Sequence, residues 1–121
     1  MSQRRLQVPL LAALLLTAPP ARAAQPPRTP ALLEQGRVSY ARSCAACHGP
    51  KGEGDGAAAK ALHPAPRNLV TEGPPGGAAE IFEVLGTGVK GTGMIAFKHL
   101  SEQERWALAY FVEGMAAPRA R

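Results

Sequence analysis

The apolar residues of this chain recur at helical intervals in separate patches, which are joined by stretches rich in glycine and proline. No segment alternates apolar and polar positions for long enough to predict a strand, and no internal repeat is visible. The first patch opens at Thr29-Pro30, which has the residue types of a helix cap followed by a first helical turn. Its apolar positions are Leu32, Leu33, Val38 and Tyr40. The pattern therefore predicts a helix that runs toward Cys44.

Two further helices are predicted in the second half of the chain. The first of them is "GGAAEIFEVLGTG", whose apolar residues on one face are Ile81, Phe82 and Leu85. Gly86 is expected to end this helix. The last helix starts at Ser101, which forms the Ser-x-x-Glu capping pattern with Glu104, and its apolar positions continue to Gly114.

The segment between these helices is expected to consist mainly of loops. "HGPKGEGDG" has glycines at positions 49, 52, 54 and 56, which indicates a backbone that bends tightly or lies close to other atoms. "AAAKAL", from Ala57, predicts a short helix that ends before Pro64 and Pro66. Together the patches predict an all-α fold of about four helices with Gly/Pro-rich loops.

The predicted core is small for a chain with so many loops. Aromatic residues make up 5% of the sequence, whereas its 13 glycines and 12 prolines fill little volume. A chain of about 100 residues also has a modest capacity to bury surface. A large apolar cofactor that supplied part of the core would make such a fold more stable.

Residues 1–23 have the pattern of a secretory signal peptide. Two arginines form its charged start, an unbroken apolar run follows at 10–16, and Ala21 and Ala23 give the small-x-small cleavage pattern. The apolar run is shorter than the ~20 residues that span a bilayer, and retention as an N-terminal anchor is the alternative. We therefore expect an exported protein, periplasmic or otherwise outside the cytoplasmic membrane, with no stable membrane insertion after cleavage.

Cleavage after Ala23 would change the charge of the protein. The full chain has 14 basic and 9 acidic residues and a net charge of +5, and loss of Arg4, Arg5 and Arg22 would lower the net charge to +2. The sequence also has no basic stripe interleaved with aromatic residues. These features argue against nucleic acid as a partner.

Both cysteines of the chain lie in "SCAACHG", three residues apart, and a histidine follows the second one directly. On a helical turn Cys44, Cys47 and His48 occupy positions i, i+3 and i+4, which share a face. Two thiols on that face can each bond to a vinyl group of one porphyrin, and the imidazole can then reach the iron. C-x-x-C-H is the attachment pattern of c-type haem. We therefore predict one haem c, bound through two thioethers, with His48 as an iron ligand.

Other uses of the two thiols fit the sequence less well. A structural disulfide between Cys44 and Cys47 would close a very small loop, which stabilises little. A thioredoxin-like dithiol needs a preceding strand in a βαβ setting, whereas the preceding residues here favour a helix. A zinc site needs four ligands, usually in two close pairs, and His63 and His99 are 36 positions apart. Zinc and dithiol chemistry remain the alternatives to haem.

The chain resembles the class I c-type cytochromes, from about Leu32 to Met115. "GRVSYARSCAACHG" is similar to the first helix of that family, and "ERWALAYFV" is similar to its last helix. The resemblance implies the small cytochrome c fold, in which about four helices surround one covalently attached haem. It also implies that Gly36 and Tyr40 cross the last helix, with Tyr110 facing Gly36.

The same resemblance implies the remainder of the haem site. "HPAPRNL" is similar to the loop under the histidine side of the haem, where a proline carbonyl, here that of Pro64 or Pro66, accepts the second ring N–H of His48. "GTGVKGTGMIAF" is similar to the distal segment, in which Met94 stands at the position of the second iron ligand. The family often has a proline after this methionine, so Ile95 predicts a less rigid loop.

Other residues are expected to have smaller roles. His99 is a second candidate for the iron ligand, whereas His63 is expected on the surface and Met115 in the core. The family exposes one haem edge to its redox partners. The lysines that are candidates to frame that edge are Lys51, Lys60, Lys90 and Lys98. Ordinary solvated lysines explain them equally well, because a net charge of +2 gives little electrostatic steering.

These features predict a single-haem, one-electron carrier between redox proteins. An iron with both axial positions filled has no vacancy for substrate, and no acid–base constellation indicates an enzyme. The alternatives are a dedicated haem c subunit of a larger oxidoreductase complex, and a haem protein that binds a gas or peroxide when Met94 is displaced. The expected organisation is a signal peptide at 1–23, a proline-rich leader at 24–30, a cytochrome c domain at 31–115 and a C-terminal tail at 116–121.

Overall fold

The computed structural model describes residues 24–118, which are all-α and contain no strand. Helix α1 covers Pro30–Ser43, α2 covers Ala45–His48, α3 covers Gly77–Thr87 and α4 covers Glu102–Met115. A short 3-10 helix at Ala59–Ala61 lies between α2 and α3. The prediction of an all-α fold with about four helices is therefore confirmed. The predicted signal peptide and the last three residues of the predicted tail lie outside the described residues.

The two longest helices begin with the caps that the sequence predicts. The Thr29 hydroxyl accepts a hydrogen bond from the Leu32 N–H at 3.2 Å, and Pro30 occupies the first turn of α1. At the start of α4 the Ser101 hydroxyl accepts from the Glu104 N–H at 3.2 Å, while the Ser101 N–H donates to the Glu104 carboxylate at 2.8 Å. These side chains partner N–H groups that the helix itself leaves unpaired, so each cap fixes where its helix starts.

The ends of the other elements differ from the prediction. Helix α3 continues through Gly86 and ends at Thr87, because it is Gly88 that has the positive φ, +67°, that ends the helix. The Gly88 N–H donates to the Val84 carbonyl at 2.7 Å, which closes the last turn. The predicted helix from Ala57 is reduced to the three-residue 3-10 helix, and α4 ends one residue beyond Gly114.

Helices α1 and α4 cross in close contact at Gly36. A Cβ at this position would lie 2.1 Å from the Ala107 carbonyl oxygen and 2.8 Å from the Cβ of Phe111. The expectation that Tyr110 faces Gly36 is therefore wrong. Ala107 and Phe111 are four residues apart and share the face of α4 that meets α1, whereas Tyr110 lies on the neighbouring face. The rings of Tyr40 and Phe111 pack beside this crossing, with centroids 5.3 Å apart.

The core is formed mainly by α4 and the faces of α1 and α3 that cover it. Ala107, Leu108 and Ala109 have no exposed surface. On the α3 side the rings of Phe82 and Trp106 are stacked with centroids 4.3 Å apart. Between residues 24 and 118, no helix has both the length and the apolar content needed to cross a membrane.

The proline-rich leader packs against α4. Tyr110 donates a hydrogen bond from its hydroxyl to the Pro26 carbonyl. The Arg28 guanidinium lies 5.1 Å from the centre of the Tyr110 ring, and it donates to the Tyr110 carbonyl and to the Glu113 carboxylate, both at 2.8 Å. The other Glu113 oxygen accepts from the Ala78 N–H at 3.0 Å, so one carboxylate joins the leader, α4 and the start of α3.

Candidate functional site

The C-x-x-C-H motif forms a single tight turn at the end of α1. Cys44 ends that helix, and its N–H donates to the Tyr40 carbonyl at 2.9 Å. The Cys44 carbonyl then accepts from the N–H groups of Cys47, at 3.2 Å, and His48, at 2.9 Å. Cys44, Cys47 and His48 therefore lie on one helical turn, as their spacing predicts.

A glycine-rich loop folds back over this turn. The Gly54 N–H donates to the His48 carbonyl at 2.8 Å, and the Gly56 N–H donates to the Cys47 carbonyl at 3.1 Å. A Cβ at Gly56 would lie 2.2 Å from the Ala46 carbonyl oxygen, so this position has no space for a side chain. The predicted close backbone approach therefore occurs, and it occurs against the motif itself.

His48 has one ring nitrogen fixed by the backbone. Its Nδ1 lies 3.0 Å from the Arg67 carbonyl oxygen, which can only accept, so Nδ1 carries the proton. The expectation that this carbonyl belongs to Pro64 or Pro66 is therefore wrong. The Pro66 carbonyl oxygen is directed toward Gly54, where a Cβ would lie 2.8 Å from it. The bond to Arg67 fixes the ring orientation and leaves Nε2 with a free lone pair.

The two thiols are unpaired, and the environment keeps Cys44 uncharged. Cys44 is buried, whereas Cys47 is half-buried, and neither forms a disulfide. Burial raises the pKa of the Cys44 thiol to about 11, with a smaller contribution from the nearby Cys47. The attacking thiol of a redox-active dithiol needs the opposite shift, since the thiolate is the reactive form. The microenvironment of Cys44 therefore disfavours thiol–disulfide chemistry.

Met94 lies in a loop that is attached to the end of α3. The Val89 N–H donates to the Met94 carbonyl at 2.9 Å, and the Phe97 N–H donates to the Leu85 carbonyl at 2.7 Å. A Cβ at Gly88 would lie 2.8 Å from the Met94 carbonyl oxygen, so the loop backbone is packed against the helix end. Met94 is half-buried and packs against the same apolar cluster that contains Cys44. The partial burial of Met94 therefore indicates that its side chain is directed toward the protein interior.

The histidine side of the site and the Met94 loop also touch each other directly. Leu62, in the segment that follows the 3-10 helix, lies against the loop at Gly93. A Cβ at Gly93 would be 2.8 Å from a terminal methyl of Leu62. Leu62 directly precedes "HPAPRNL", so the contact places the start of that histidine-side segment close to the Met94 loop.

The remaining candidate residues lie on the surface. His63 and His99 are exposed, and the His99 ring packs beside Phe97 with centroids 5.9 Å apart. Met115 is half-buried, and a Cβ at Gly52 would lie 2.9 Å from its sulfur, as expected of a packing residue. The four lysines that were candidates to frame a haem edge are all exposed, and these are Lys51, Lys60, Lys90 and Lys98.

The donor set of this site fits a c-type haem. Two unpaired thiols are available for thioether bonds, and an imidazole with a free Nε2 and a thioether are suitable axial ligands of haem iron. The donors do not suit zinc, which takes four thiolate, imidazole or carboxylate ligands. Within residues 24–118 no three side chains of these types lie together in a way that could hold a metal ion.

Two contacts of the site were not apparent in the sequence. The hydrogen bond from His48 to Arg67 has no residue-type signal, because every residue carries a backbone carbonyl. Thr92 was also missed, although its hydroxyl accepts from the Met94 N–H at 3.1 Å and donates to the Val89 carbonyl at 2.7 Å. A threonine two residues before the candidate ligand, in a run of glycines, is the signal that could have indicated it.

The all-α fold and the motif turn together define a c-type cytochrome domain. The family model described as cytochrome c oxidase, cbb3-type, subunit III matches residues 31–112, and the chain belongs to this family. The resemblance to c-type cytochromes and the small cytochrome c fold are thereby confirmed. Membership assigns the chain to haem-based electron transfer.

A solved structure extends the comparison. The fold is similar to a chain of the reducing HAO-like protein complex of Kuenenia stuttgartiensis, with a TM-score of 0.62 and 27% sequence identity. The similarity covers 69% of this chain and 42% of that chain, so this protein spans less than half the length of its structural relative. No curated protein sequence matches the chain.

Proposed function

We propose that this protein is a single-haem carrier that passes one electron at a time between redox proteins outside the cytoplasmic membrane. Cys44 and Cys47 would each form a thioether to one haem c, and His48 and Met94 would bind its iron. The haem supplies the exchange between ferrous and ferric iron. The protein supplies the attachment, both axial ligands and an apolar surrounding that tunes the reduction potential.

The observation that carries this proposal is the orientation of His48. The bond from Nδ1 to the Arg67 carbonyl, 3.0 Å long, leaves Nε2 as the ring nitrogen that is available to bind iron. Such a bond also increases the basicity of the ligating nitrogen. With the two thiols on the same turn, the motif would attach a porphyrin and present an imidazole to its iron.

Met94 is proposed as the second ligand because it is a half-buried thioether in a loop that the backbone holds in place. Methionine opposite histidine raises the reduction potential relative to harder ligands. An iron with two protein ligands has no open position for a substrate. Both points favour an electron carrier over an enzyme.

The proposed cellular site follows from the sequence of residues 1–23. We propose that this segment directs export and is cleaved after Ala23, and that the mature chain consists of the leader, the domain at 31–115 and the tail. The cleavage would place the protein in the oxidising compartment outside the cytoplasmic membrane.

The visible spectrum of the exported protein tests the ligand assignment. The ferric protein should show the far-red sulfur-to-iron absorption, and Met94→Ala should abolish it while the haem stays covalently bound. Met115→Ala is the matched control and should keep the absorption, because Met115 packs at Gly52. A ferrous wild-type protein that binds carbon monoxide readily at neutral pH would contradict the carrier and favour a ligand-binding haem protein.

A second candidate function is that of a dedicated haem c subunit in a larger oxidoreductase complex. The matching family is named for a subunit, and the similar solved chain is part of a protein complex. Purification of the tagged protein from its native host at high salt distinguishes the two roles. Retention of a larger redox protein in a fixed ratio would support the subunit, and recovery of the cytochrome alone would support the diffusing carrier.

A further inference from the structure

We infer that Thr92 is a positioning residue that holds the backbone of Met94 in the conformation needed for iron binding. The inference rests on the proposed role of Met94 as an axial ligand and adds a reason why that ligand stays in place. It concerns a loop in which Ile95 stands at the position where a proline would have fixed φ.

The hydroxyl of Thr92 bridges the two sides of the loop. It accepts a hydrogen bond from the Met94 N–H at 3.1 Å and donates one to the Val89 carbonyl at 2.7 Å. The Thr92 N–H also donates to the Val89 carbonyl, at 3.2 Å, while the Val89 N–H donates to the Met94 carbonyl at 2.9 Å. Both backbone polar groups of Met94 are therefore paired, one with a side chain and one across the loop.

No other side chain in the loop at 89–96 holds the backbone in this way. Among residues 89–96, all of which the structure describes, Thr92 makes the only side-chain hydrogen bonds to other described residues. Ile95 is 63% exposed and Val89 is 44% exposed, so neither anchors the loop by burial of its side chain. The anchors at either end are the backbone contacts of Gly88 and Phe97 with α3.

The expected consequence is resistance of Met94 to displacement. When a competing ligand replaces Met94 at the iron, a loop that is free to reorganise gains conformational entropy, and this gain favours displacement. A loop that keeps its hydrogen bonds gains less. Loss of the Thr92 hydroxyl removes hydrogen bonds of the usual strength, so imidazole should displace Met94 at about tenfold lower concentration.

The test is an imidazole titration of the ferric holoprotein, followed by loss of the far-red sulfur-to-iron absorption. Thr92→Val keeps the shape of the side chain and removes the hydroxyl, whereas Thr92→Ser keeps the hydroxyl. Thr71→Val makes the same change at an exposed threonine that lies outside the Met94 loop. We expect the midpoint to fall about tenfold in Thr92→Val and to stay near the wild-type value in Thr92→Ser and Thr71→Val.

Amide hydrogen exchange of Met94 provides a second readout that does not depend on the iron. The Met94 N–H should exchange about tenfold faster in Thr92→Val than in Thr92→Ser. Equal imidazole midpoints or equal exchange rates in these two variants would overturn the inference. If wild-type protein lacks the far-red absorption, the proposed ligation by Met94 fails instead, and the exchange rates alone decide whether Thr92 holds the loop.

Discussion

Gly36 of α1 lies so close to Ala107 of α4 that a Cβ on the glycine would be 2.1 Å from the Ala107 carbonyl oxygen. The contact sets the distance between α1 and α4, and the C-x-x-C-H motif begins at Cys44, directly after α1. The helices cannot approach this closely with any other residue at position 36.

Substitution Gly36→Ala should therefore destabilise the protein by about 1–3 kcal/mol or more, since the backbone of one helix must move. Gly114→Ala is the matched control. Gly114 lies in α4 with no atom within 4 Å of a Cβ, and alanine should stabilise the helix there by about 0.5–1 kcal/mol. Denaturant unfolding should show a decrease in the free energy of unfolding for Gly36→Ala and an increase for Gly114→Ala. A neutral Gly36→Ala would contradict the crossing described above.

Glu113 should contribute more to stability than the ion pair it forms with Arg28. The Arg28 and Glu113 side chains are 43% and 38% exposed, and such a pair is typically worth up to about 1 kcal/mol. Glu113 also accepts from the N–H of Ala78, which is 2% exposed, and loss of that partner costs about 1–3 kcal/mol. Thermal unfolding should therefore show a loss of stability in Glu113→Ala that exceeds the value of a surface ion pair.

The control for this comparison is the exposed pair of Glu34 and Arg37, which are 2.6 Å apart within α1. Glu34→Ala should leave the unfolding temperature almost unchanged, because both partners are solvated. If Glu113→Ala resembled Glu34→Ala, the carboxylate would not join the leader to α3 and α4.

The protein should lose stability in alkaline solution because the phenol of Tyr40 is buried. Burial is the largest of the causes that raise the pKa of Tyr40 from its ordinary value of 10.0 to about 12. The folded state therefore holds this proton more tightly than the unfolded state, so stability is full below pH 10 and falls between pH 10 and 12. A shift of this size corresponds to about 2–3 kcal/mol.

The comparison with Tyr40→Phe isolates this effect. The variant loses the hydrogen bond from the Tyr40 hydroxyl to the Gly49 carbonyl, 2.7 Å, and should be about 1 kcal/mol less stable than wild type at neutral pH. Between pH 10 and 12 that difference should shrink and then reverse, because only wild type loses the phenol proton and its loss of about 2–3 kcal/mol exceeds the difference at neutral pH. Parallel stability curves over this range, measured by denaturant unfolding, would show that Tyr40 does not titrate as described.

The features that were predictable from the sequence are those decided by neighbouring residues. The caps at Thr29 and Ser101 depend on side chains that bond their own helix, so residue type and spacing identify them. The turn that joins Cys44 to His48 is likewise local, since both N–H groups of its last two residues bond the Cys44 carbonyl. Fold class and candidate attachment residues were therefore accessible without a structure.

The features that were not predictable depend on the path of the backbone and on helix rotation. The carbonyl that bonds His48 belongs to Arg67 and not to a proline, because the loop directs the Pro66 carbonyl toward Gly54. Phe111, and not the expected Tyr110, lies at the crossing with Gly36. The directions of two neighbouring side chains differ by about 100° around a helix, and tertiary packing selects which of them faces the crossing. A small residue four positions before Phe111, Ala107, is the sequence signal for that choice.

The most direct test of the account is the mass of the mature polypeptide from a host whose cytochrome maturation machinery is active. We predict a chain that begins at Ala24 and carries the added mass of one haem, which remains attached after acid–acetone extraction. Cys44→Ser combined with Cys47→Ser should give the same polypeptide without the added mass. A wild-type polypeptide that carries no tetrapyrrole would contradict the central claim, whatever its fold.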